Sequence, residues 1–412
     1  MVGTVYSSWR WAKRPELTLK SMGKLMVVCL NSRLIFLDEC RAKVIFSLSL
    51  PFPFSPFCMA IFVDFLVQTQ NEESIIVTEG ETDDAVKKAN QNDNNADNDE
   101  MKSNNKESLS LSHQLNLQLT RYVVALRPWS FTASFTPVAL GCTLAYKTTG
   151  DFHPAIFIYS LITALSVHAA GNLVNTYFDY FHGIDSKKSD DRTLVDKILS
   201  PQDVAWLGGV LYVIGCLGFL CLTFVSPAKM EHLALIYFGG LSGSFLYTGG
   251  LGLKYIALGD LLIFLTFGPV TIMFSFLCQT GRLSLICILY AIPLALNTEA
   301  ILHSNNTRDM DCDSKAGIVT LAILLGHTGS YLLFTLLIFT PYIIFILMAL
   351  HYTKWMFIPA SSMFLAFRYE KDFRRGDLKN LPRELAKLNL LMGLLYVVAC
   401  LCADSNNLPK LL

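Results

Sequence analysis

The sequence has little charge for its length. Only 16% of the 412 residues are charged, whereas 52% are hydrophobic. A soluble globule of this size needs more polar surface than that. The formal net charge is +0, which gives no electrostatic basis for binding nucleic acid. These shortages exclude an ordinary soluble domain and a nucleic-acid partner, and they favour a protein that lies in a lipid bilayer.

The cysteines lack a recognisable pattern. There are 11 of them, and no spacing is typical of a zinc site or a disulfide framework. Several, such as Cys142 and Cys278, lie inside apolar runs, where cysteine behaves as a small hydrophobic residue. We therefore expect neither thiolate metal sites nor disulfide bonds.

Apolar runs are what the sequence has in abundance from Trp129 onward. Their lengths are near the roughly 20 residues that a helix needs to cross a bilayer. We predict an all-α membrane protein with about nine transmembrane helices, within an uncertainty of about one. The predicted spans are 129–147, 154–179, 203–225, 231–249, 257–278, 283–304, 328–350, 353–369 and 386–403. A short apolar piece at 318–325 precedes the seventh span.

The region before the apolar runs divides into two parts. Residues 1–70 are basic at first and then apolar, with several prolines inside 44–67. Three interpretations stay open for this extension: a targeting segment, an additional hairpin or span, or a stretch removed from the mature protein. Residues 71–115 are polar, acidic and Asn-rich, which predicts a disordered linker. Residues 116–412 form the predicted membrane bundle.

The basic residues predict which side each loop occupies. Most Lys and Arg residues near helix ends fall in the N-terminal flank and in the loops after spans 2, 4, 6 and 8. Such loops face the cytosol, or the matrix if the protein is mitochondrial.

The second predicted helix ends in a polar motif. Asn175 and Asp179 are four residues apart and share one helix face, and His168 lies close to that face deeper in the span. Gly183 can end the helix with a left-handed residue and let the chain fold back to present Asp185. By itself, this motif also suits a solvated helix end with ordinary loop charges.

The sixth predicted helix ends in a similar motif. Asn305, Asp309 and Asp313 follow at four-residue steps on one face, while Asp311 points elsewhere and Gly317 comes next. Two helices that lie four apart in order thus carry acidic motifs at the same membrane face. Acidic groups at a membrane are costly unless a counter-charge neutralises them.

The residue types at these ends favour a hard cation. Carboxylate and amide oxygens without clustered His or Cys suit Mg²⁺ rather than zinc. A Mg²⁺-bound diphosphate would supply the missing positive charge, and flanking basic side chains can bind its oxygens. The positive-inside bias also explains these basic residues. They are Lys187, Lys188, Arg192, Lys254 and Arg308.

Other side chains near the motifs are candidates for a substrate site. Tyr177, Phe178 and Tyr247 are aromatic and can stabilise the cation that an ionising allylic diphosphate forms. Each also fits the aromatic belt of a membrane interface. His168 and Glu299 are the ionisable residues within spans nearest the motifs, and each is a candidate proton acceptor or a structural partner.

Three runs carry a resemblance to a known family. NLVNTYFDYFHGIDSKKSDDRTLVD, YTGGLGLKYIALGDL and HSNNTRDMDCDSKAGIVTLAILLG resemble the UbiA superfamily of intramembrane aromatic prenyltransferases, and within it the menaquinone branch. The resemblance covers roughly residues 120–412. It implies a UbiA-type bundle around a central cavity, with both motifs meeting on the cytosolic side.

The resemblance also implies roles for individual residues. Asp179, Asp185, Asp309 and Asp313 would be the catalytic carboxylates that hold Mg²⁺ against the diphosphate. The full set of implied metal ligands is Asn175, Asp179, Asp185, Asn305, Asp309 and Asp313.

The first motif departs from the ubiquinone branch, because Thr176 follows Asn175 and Asp185 comes six residues after Asp179. This departure favours a naphthoquinone acceptor. The implied reaction transfers a geranylgeranyl group from its diphosphate to a reduced naphthoquinone, which gives menaquinone-4, a form of vitamin K₂.

The resemblance further implies the endoplasmic reticulum or Golgi membrane, with a mitochondrial membrane as the alternative. It also suggests a sterol-synthesis reductase as a partner. Rival interpretations are a transferase for another acceptor (a ubiquinone or tocopherol precursor, or heme), a regulatory isoprenoid- or sterol-linked protein, and a cation transporter. A transporter should carry acids near the midplane in broken helices, whereas these acids lie at helix ends beside basic loops.

Overall fold

The computed structural model describes residues 26–30, 33–37, 43–47, 118–185, 191 and 193–409. The first three ranges are strands: β1 (Met26–Leu30), β2 (Arg33–Leu37) and β3 (Lys43–Ser47). They pair antiparallel in the order β1-β2-β3. Residues 44–47 of the apolar 44–67 segment are therefore extended rather than helical. The rest of that segment and most of the 71–115 linker lie outside the described residues.

From residue 118 onward the described chain is helical. Residues 118–125 and a 3₁₀ turn at Pro128–Phe131 precede the main helices. These helices are α1 (Thr132–Thr149), α2 (Pro154–Phe181), α3 (Pro201–Val225), α4 (Met230–Leu246), α5 (Gly259–Thr280), α6 (Ile286–Lys315), α7 (Leu321–His351), α8 (Phe357–Ala360), α9 (Met363–Arg374) and α10 (Leu381–Cys402).

Six helices in the described part of the chain are long and apolar enough to cross a membrane, namely α2, α3, α5, α6, α7 and α10. From residue 118 onward, the predicted all-α membrane class is thus confirmed, whereas the count of about nine spans is not. The predicted spans 129–147 and 231–249 correspond to α1 and α4, which have 18 and 17 residues. The predicted span 353–369 is broken into a 3₁₀ turn, α8 and α9.

Backbone chemistry explains two irregularities. Gly326 has φ 63° and ψ −179°, so it kinks α7 and joins the short apolar piece before it to the long helix. Pro359 lies within the four residues of α8, where its missing N–H weakens a continuous helix.

The two motif helices end in the same way. At the end of α2, Gly183 has φ 70°, and at the end of α6, Gly317 has φ 76°. In each case a backbone N–H after the glycine donates to the carbonyl of a motif aspartate. Ile184 donates to Asp179 over 2.9 Å, and Ile318 donates to Asp313 over 3.0 Å. Both chain reversals are therefore fixed directly on motif residues.

The bundle packs through small residues at helix crossings. α2 lies along α3, α1 lies against α5 and α10, and α6 lies against α7 and α10. The approach of α5 to α6 depends on Gly268, because a Cβ there would lie 2.4 Å from the Ala295 Cβ. Gly268 belongs to a π-helical turn at Thr266–Val270 inside α5, a local irregularity that is frequent at functional sites.

The outer faces of the bundle are apolar. Trp206 and Phe224 of α3 are 69% and 86% exposed, and Leu235 of α4 and Leu332 of α7 are also exposed. Such surface is stable in hydrocarbon but not in water. The protein is therefore an integral, multi-pass membrane protein.

Candidate active site

A cavity of about 260 Å³ opens between α2, α4, α5 and α6. Asn175, Lys254 and Asn305 lie on its wall near the ends of the motif helices. Ile236 and Phe274 belong to the apolar part of the same wall. The cavity thus joins a charged end to an apolar interior, as a site for an amphiphilic ligand does.

At the charged end, Asp179 is held by two donors. Lys254 Nζ donates to Asp179 Oδ2 over 2.6 Å and to Asn175 Oδ1 over 3.3 Å. The Tyr255 hydroxyl donates to Asp179 Oδ1 over 2.9 Å. Lys254 and Tyr255 belong to a 3₁₀ turn between α4 and α5, which begins after Gly252 at φ 58°. The α4–α5 connection therefore places a cation directly on the first motif.

The second motif carries its own counter-ion. Arg308 Nε and Nη2 donate to the two carboxylate oxygens of Asp309 over 2.9 and 2.7 Å. Nη2 also donates to Asn305 Oδ1 over 2.7 Å. This two-pronged geometry is the strong form of an arginine–carboxylate contact. Arg308, predicted to bind diphosphate, thus pairs with its own motif in this structure.

The two motifs meet around Lys254. Asp313 lies close enough to Asp309, Asp179 and Lys254 to interact with their charges. Asp185 interacts in the same way with Asp179 and Lys254. The structure therefore brings together the motif ends of α2 and α6, which lie far apart in the sequence.

Asp185 shows the electrostatic cost of this arrangement. Burial, together with repulsion from Asp191 and Asp179, raises the pKa of Asp185 to about 7, although Arg127 and Lys254 partly offset the increase. A nearby cation would lower that pKa and favour the ionised carboxylate.

The oxygen donors suit a magnesium ion by their chemistry. Asp179, Asp185, Asp309 and Asp313 offer carboxylates, and Asn175 and Asn305 offer amide oxygens, which are hard ligands. Lys254 Nζ already lies between two of these oxygens, as a bound cation would. Within residues 118–185, 191 and 193–409, no three His, Cys, Asp or Glu side chains are gathered closely enough to hold a metal. In this structure Lys254 and Tyr255 bind Asp179, whereas Arg308 binds Asp309.

A third ion pair ties the loop after α2 to the bundle. Arg127 Nη2 donates to Asp191 Oδ2, and the Thr176 hydroxyl lies 2.5 Å from the same oxygen. The Thr193 amide donates to Asp191 Oδ1 over 3.0 Å. Burial raises the pKa of Asp191, but Arg127, Thr176 and Thr193 together outweigh burial and lower it to about 2. We call Arg127, Thr176 and Asp191 the loop clamp.

His168 lies on the cavity wall with both ring nitrogens engaged. Its Nε2 lies 3.2 Å from Ser130 Oγ, and its Nδ1 lies 2.8 Å from Ser134 Oγ. Ser130 uses its single hydroxyl proton on the Arg127 carbonyl over 2.8 Å, so its oxygen must accept from His168 Nε2–H. Nδ1 then accepts from Ser134. His168 is thus a wall residue with both ring nitrogens hydrogen-bonded.

The remaining sequence candidates separate into three groups. Tyr247 lines the cavity. Tyr177 and Phe178 pack on other aromatic rings and do not line the cavity. The ring centroids of Tyr177 and Phe181 are 4.6 Å apart, and those of Phe178 and Phe245 are 6.4 Å apart. Glu299 is buried behind the wall rather than on it.

Some predicted site residues lie outside the described part of the chain. Other residues that the structure places at the site were not predicted from the sequence. Lys187, Lys188 and Arg192 lie outside the described residues. Tyr255, Arg127 and Asp191 were missed, although Tyr255 directly follows Lys254. The DD pair in the first motif run contained Asp191, but nothing in the spacing indicated its partner 64 positions away.

Comparison with known proteins identifies the family. The model of the UbiA prenyltransferase family matches residues 134–402. The chain belongs to the UbiA prenyltransferase family and is a membrane-embedded prenyltransferase.

Among individual proteins, it is 57% identical over 290 residues to human UbiA prenyltransferase domain-containing protein 1, covering 70% of this chain and 86% of that protein. The zebrafish protein of the same name is 58% identical over 297 residues, covering 72% and 88%. A solved structure of a UbiA homolog from Aeropyrum pernix K1 matches the fold with a TM-score of 0.53 and 17% identity, covering 65% of this chain and 97% of that one.

Proposed function

We propose that this prenyltransferase transfers a geranylgeranyl group from its diphosphate to a ring carbon of a reduced naphthoquinone, giving menaquinone-4 in its reduced form. The observation that carries the proposal is the charged end of the cavity. There, Asp179, Asp313 and Lys254 come together from three elements, next to an apolar interior that suits an isoprenyl chain.

The donor set supports Mg²⁺ as the metal, held by Asn175, Asp179, Asp185, Asn305, Asp309 and Asp313. When bound there, Mg²⁺ would neutralise the diphosphate and weaken its bond to the allylic carbon. The raised pKa of Asp185 is what a carboxylate awaiting a counter-charge should have.

The basic residues have a separate task in the proposed reaction. Lys254 and Arg308 neutralise motif carboxylates in this structure, and both are long enough to turn toward phosphate oxygens. Lys187, Lys188 and Arg192 stay predicted diphosphate ligands. Charge-assisted hydrogen bonds from this set would hold the diphosphate as it leaves.

The interior of the cavity would stabilise the allylic cation. Phe267 and Tyr247 lie on its wall, and Phe267 packs on His168 with 4.5 Å between the ring centroids. Aromatic faces stabilise cations, and the surrounding helices exclude water that would otherwise capture the isoprenyl group. The acceptor ring carbon then forms the new C–C bond and loses its proton.

The naphthoquinone assignment rests on the departure from the ubiquinone-branch pattern, and Thr176, which marks this departure, has a structural role of its own. The Thr176 hydroxyl bonds Asp191 in the loop clamp. An aspartate at position 176, as in the ubiquinone-branch pattern, would place a second carboxylate against Asp191 and oppose the clamp. The departure from that pattern is therefore built into the loop geometry of this chain.

One assay tests the proposal. Membranes that contain the protein would receive geranylgeranyl diphosphate with reduced menadione or with 4-hydroxybenzoate, with and without EDTA. Mass spectrometry should find menaquinone-4 only with menadione and only without EDTA. Prenylation of 4-hydroxybenzoate instead would overturn the acceptor, and EDTA-resistant transfer would overturn the metal.

A further inference from the structure

Two buried acids lie behind the cavity wall and take no part in the scheme above. Asp260 is in the first turn of α5, and Glu299 lies in the middle of α6. Each is only 5% exposed. Their carboxyl groups are within hydrogen-bonding distance of each other. Within the described chain, neither Glu299 oxygen has a hydrogen-bond donor from another group. We call these two residues the acid pair.

The acid pair must share a proton. Two ionised carboxylates in contact, away from water and without a donor, would be strongly destabilising. One shared proton makes a hydrogen bond between them and leaves a single negative charge. His303 lies beside Asp260. Its Nδ1 is 3.8 Å from Asp260 Oδ1, too far for a hydrogen bond, and its Nε2 is 3.1 Å from the Ser330 carbonyl. Because the pair holds one proton for two carboxyl groups, it can accept one more.

Tyr247 connects the acid pair to the cavity. It lines the cavity, and its ring packs on Gly259, where a Cβ would lie 3.0 Å from Tyr247 Cε2. Gly259 directly precedes Asp260. The phenol is also close enough to both carboxyl groups to interact with their charge. Tyr247 therefore lies between the cavity and the segment that carries Asp260. Within the described residues, its hydroxyl donates to neither Glu299 oxygen and not to Asp260 Oδ1, so the hydroxyl must turn toward the pair before it can pass a proton.

We infer that the Asp260–Glu299 pair is the proton acceptor of the prenyl transfer, reached through the Tyr247 hydroxyl. The inference rests on the proposed function. After the new C–C bond forms, the C–H bond at the same ring carbon breaks, and its electrons restore the aromatic ring. Tyr247 takes that proton while its own proton passes to the acid pair, which becomes neutral. The diphosphate leaves with the electrons of the broken C–O bond. Once the product has left, the acid pair releases the proton through Tyr247 to the cavity.

His168 does not compete for this role. Both of its nitrogens are engaged by serine hydroxyls, so it offers no lone pair to a substrate proton. The acid pair is also at the right depth, because Thr298 next to Glu299 lies on the cavity wall.

The test separates ionisation of the diphosphate from loss of the ring proton. Glu299→Gln keeps the side-chain shape and gives Asp260 an amide donor, so the fold should persist. The full chain in membranes would receive geranylgeranyl diphosphate labelled with ¹⁸O at the bridging oxygen. One sample contains reduced menadione, and the other contains reduced 2,3-dimethyl-1,4-naphthoquinone, which has no hydrogen at the reacting positions. Scrambling of ¹⁸O reports ionisation, and prenylated lipid reports transfer.

We expect Glu299→Gln to slow transfer to menadione by about a hundredfold, the usual contribution of a general base. Scrambling of ¹⁸O should stay within about threefold of the unmodified protein, because ionisation precedes proton loss. The matched control is Asp311→Asn, an exposed carboxylate on the same helix, which should change neither reading. Unchanged transfer in Glu299→Gln, or equal loss of scrambling and transfer, would overturn the inference.

A deuterium isotope effect on the transfer rate gives a second measurement. A purely structural role of Glu299 would not change this isotope effect. Glu299→Asp keeps the carboxylate but shortens its reach. Menadione deuterated at its reacting carbon should then react measurably more slowly than the protonated compound, whereas the unmodified protein shows little difference. No isotope effect in Glu299→Asp would contradict the proton-transfer role. If the unmodified protein prenylates 4-hydroxybenzoate rather than menadione, the proposed function fails on its own, and the same comparison is made with that acceptor.

Discussion

Asp179 is the residue on which the charged end of the cavity depends. Its two oxygens bind Lys254 and Tyr255, and its carbonyl accepts the hydrogen bond that ends α2. One residue thus orders the first motif, holds the α4–α5 turn and offers a carboxylate as a possible metal ligand.

Replacing this carboxylate should abolish turnover. We expect Asp179→Asn and Asp309→Asn each to lower prenyl transfer at least about a hundredfold, which corresponds to about 3 kcal/mol of lost transition-state stabilisation. Both variants should still insert into the membrane, because the amide keeps the side-chain shape. Transfer is measured in membranes normalised to protein, with Asp311→Asn as the control. Near-normal rates in both variants would exclude the metal-site assignment.

Asp191 predicts a pH dependence of stability. Its pKa is lowered from 3.8 to about 2 in the folded protein, so the carboxylate stabilises the fold above pH 4. The contribution is lost as the pH falls from 4 toward 2, and it amounts to about 2 kcal/mol at neutral pH. Asp191→Asn should therefore unfold at a lower temperature than the unmodified protein at pH 7, and the difference should shrink at pH 3.

Thermal unfolding in detergent at both pH values checks this expectation. Asp151, which is exposed between α1 and α2, provides the control variant Asp151→Asn. A difference for Asp191→Asn that is equal at pH 7 and pH 3 would mean that its charge does not support the clamp.

At the residue scale, the sequence supported predictions of the motifs but not their partners. Four-residue spacing places Asn175 with Asp179, and Asn305 with Asp309, because a helix fixes those relations locally. The Arg127–Asp191 contact joins residues 64 positions apart. Such a pairing depends on how helices pack, which no local pattern records.

At the element scale, hydropathy located the helices but not their irregularities. The predicted span 154–179 corresponds closely to α2, which is Pro154–Phe181. The predicted span 283–304 stops short, because α6 continues to Lys315 through the polar second motif. Hydropathy ends a span where charges begin, whereas a helix continues as long as its backbone bonds are made.

The crossing of α5 and α6 gives a test at this scale. Gly268→Val should destabilise the bundle by about 2 kcal/mol, because the added carbons would clash with Ala295. The same change at Gly209 of α3 is the control, since nothing lies within 4 Å of a Cβ there. The unfolding temperatures of both variants in detergent are compared with that of the unmodified protein. Equal stability would mean that the two helices separate without cost.

At the scale of the whole molecule, the sequence predicts the sidedness of the bundle. Residues 186–200 and 372–384 should lie on one side of the membrane, and residues 149–152 and 281–282 on the other, as the distribution of basic residues indicates. Cysteine labelling at single sites in sealed vesicles checks this arrangement. Labelling of the loops after α2 and α9 from opposite sides would refute it.

The arrangement of Lys254 has a consequence for how substrates enter. Its single ammonium balances the first motif and lies near Asp313 of the second. A free divalent ion must compete with this tethered cation, whereas a diphosphate that arrives with the ion gives Lys254 a new anion to bind. Metal and diphosphate should therefore bind synergistically. By thermodynamic linkage, each must raise the affinity of the other by the same factor.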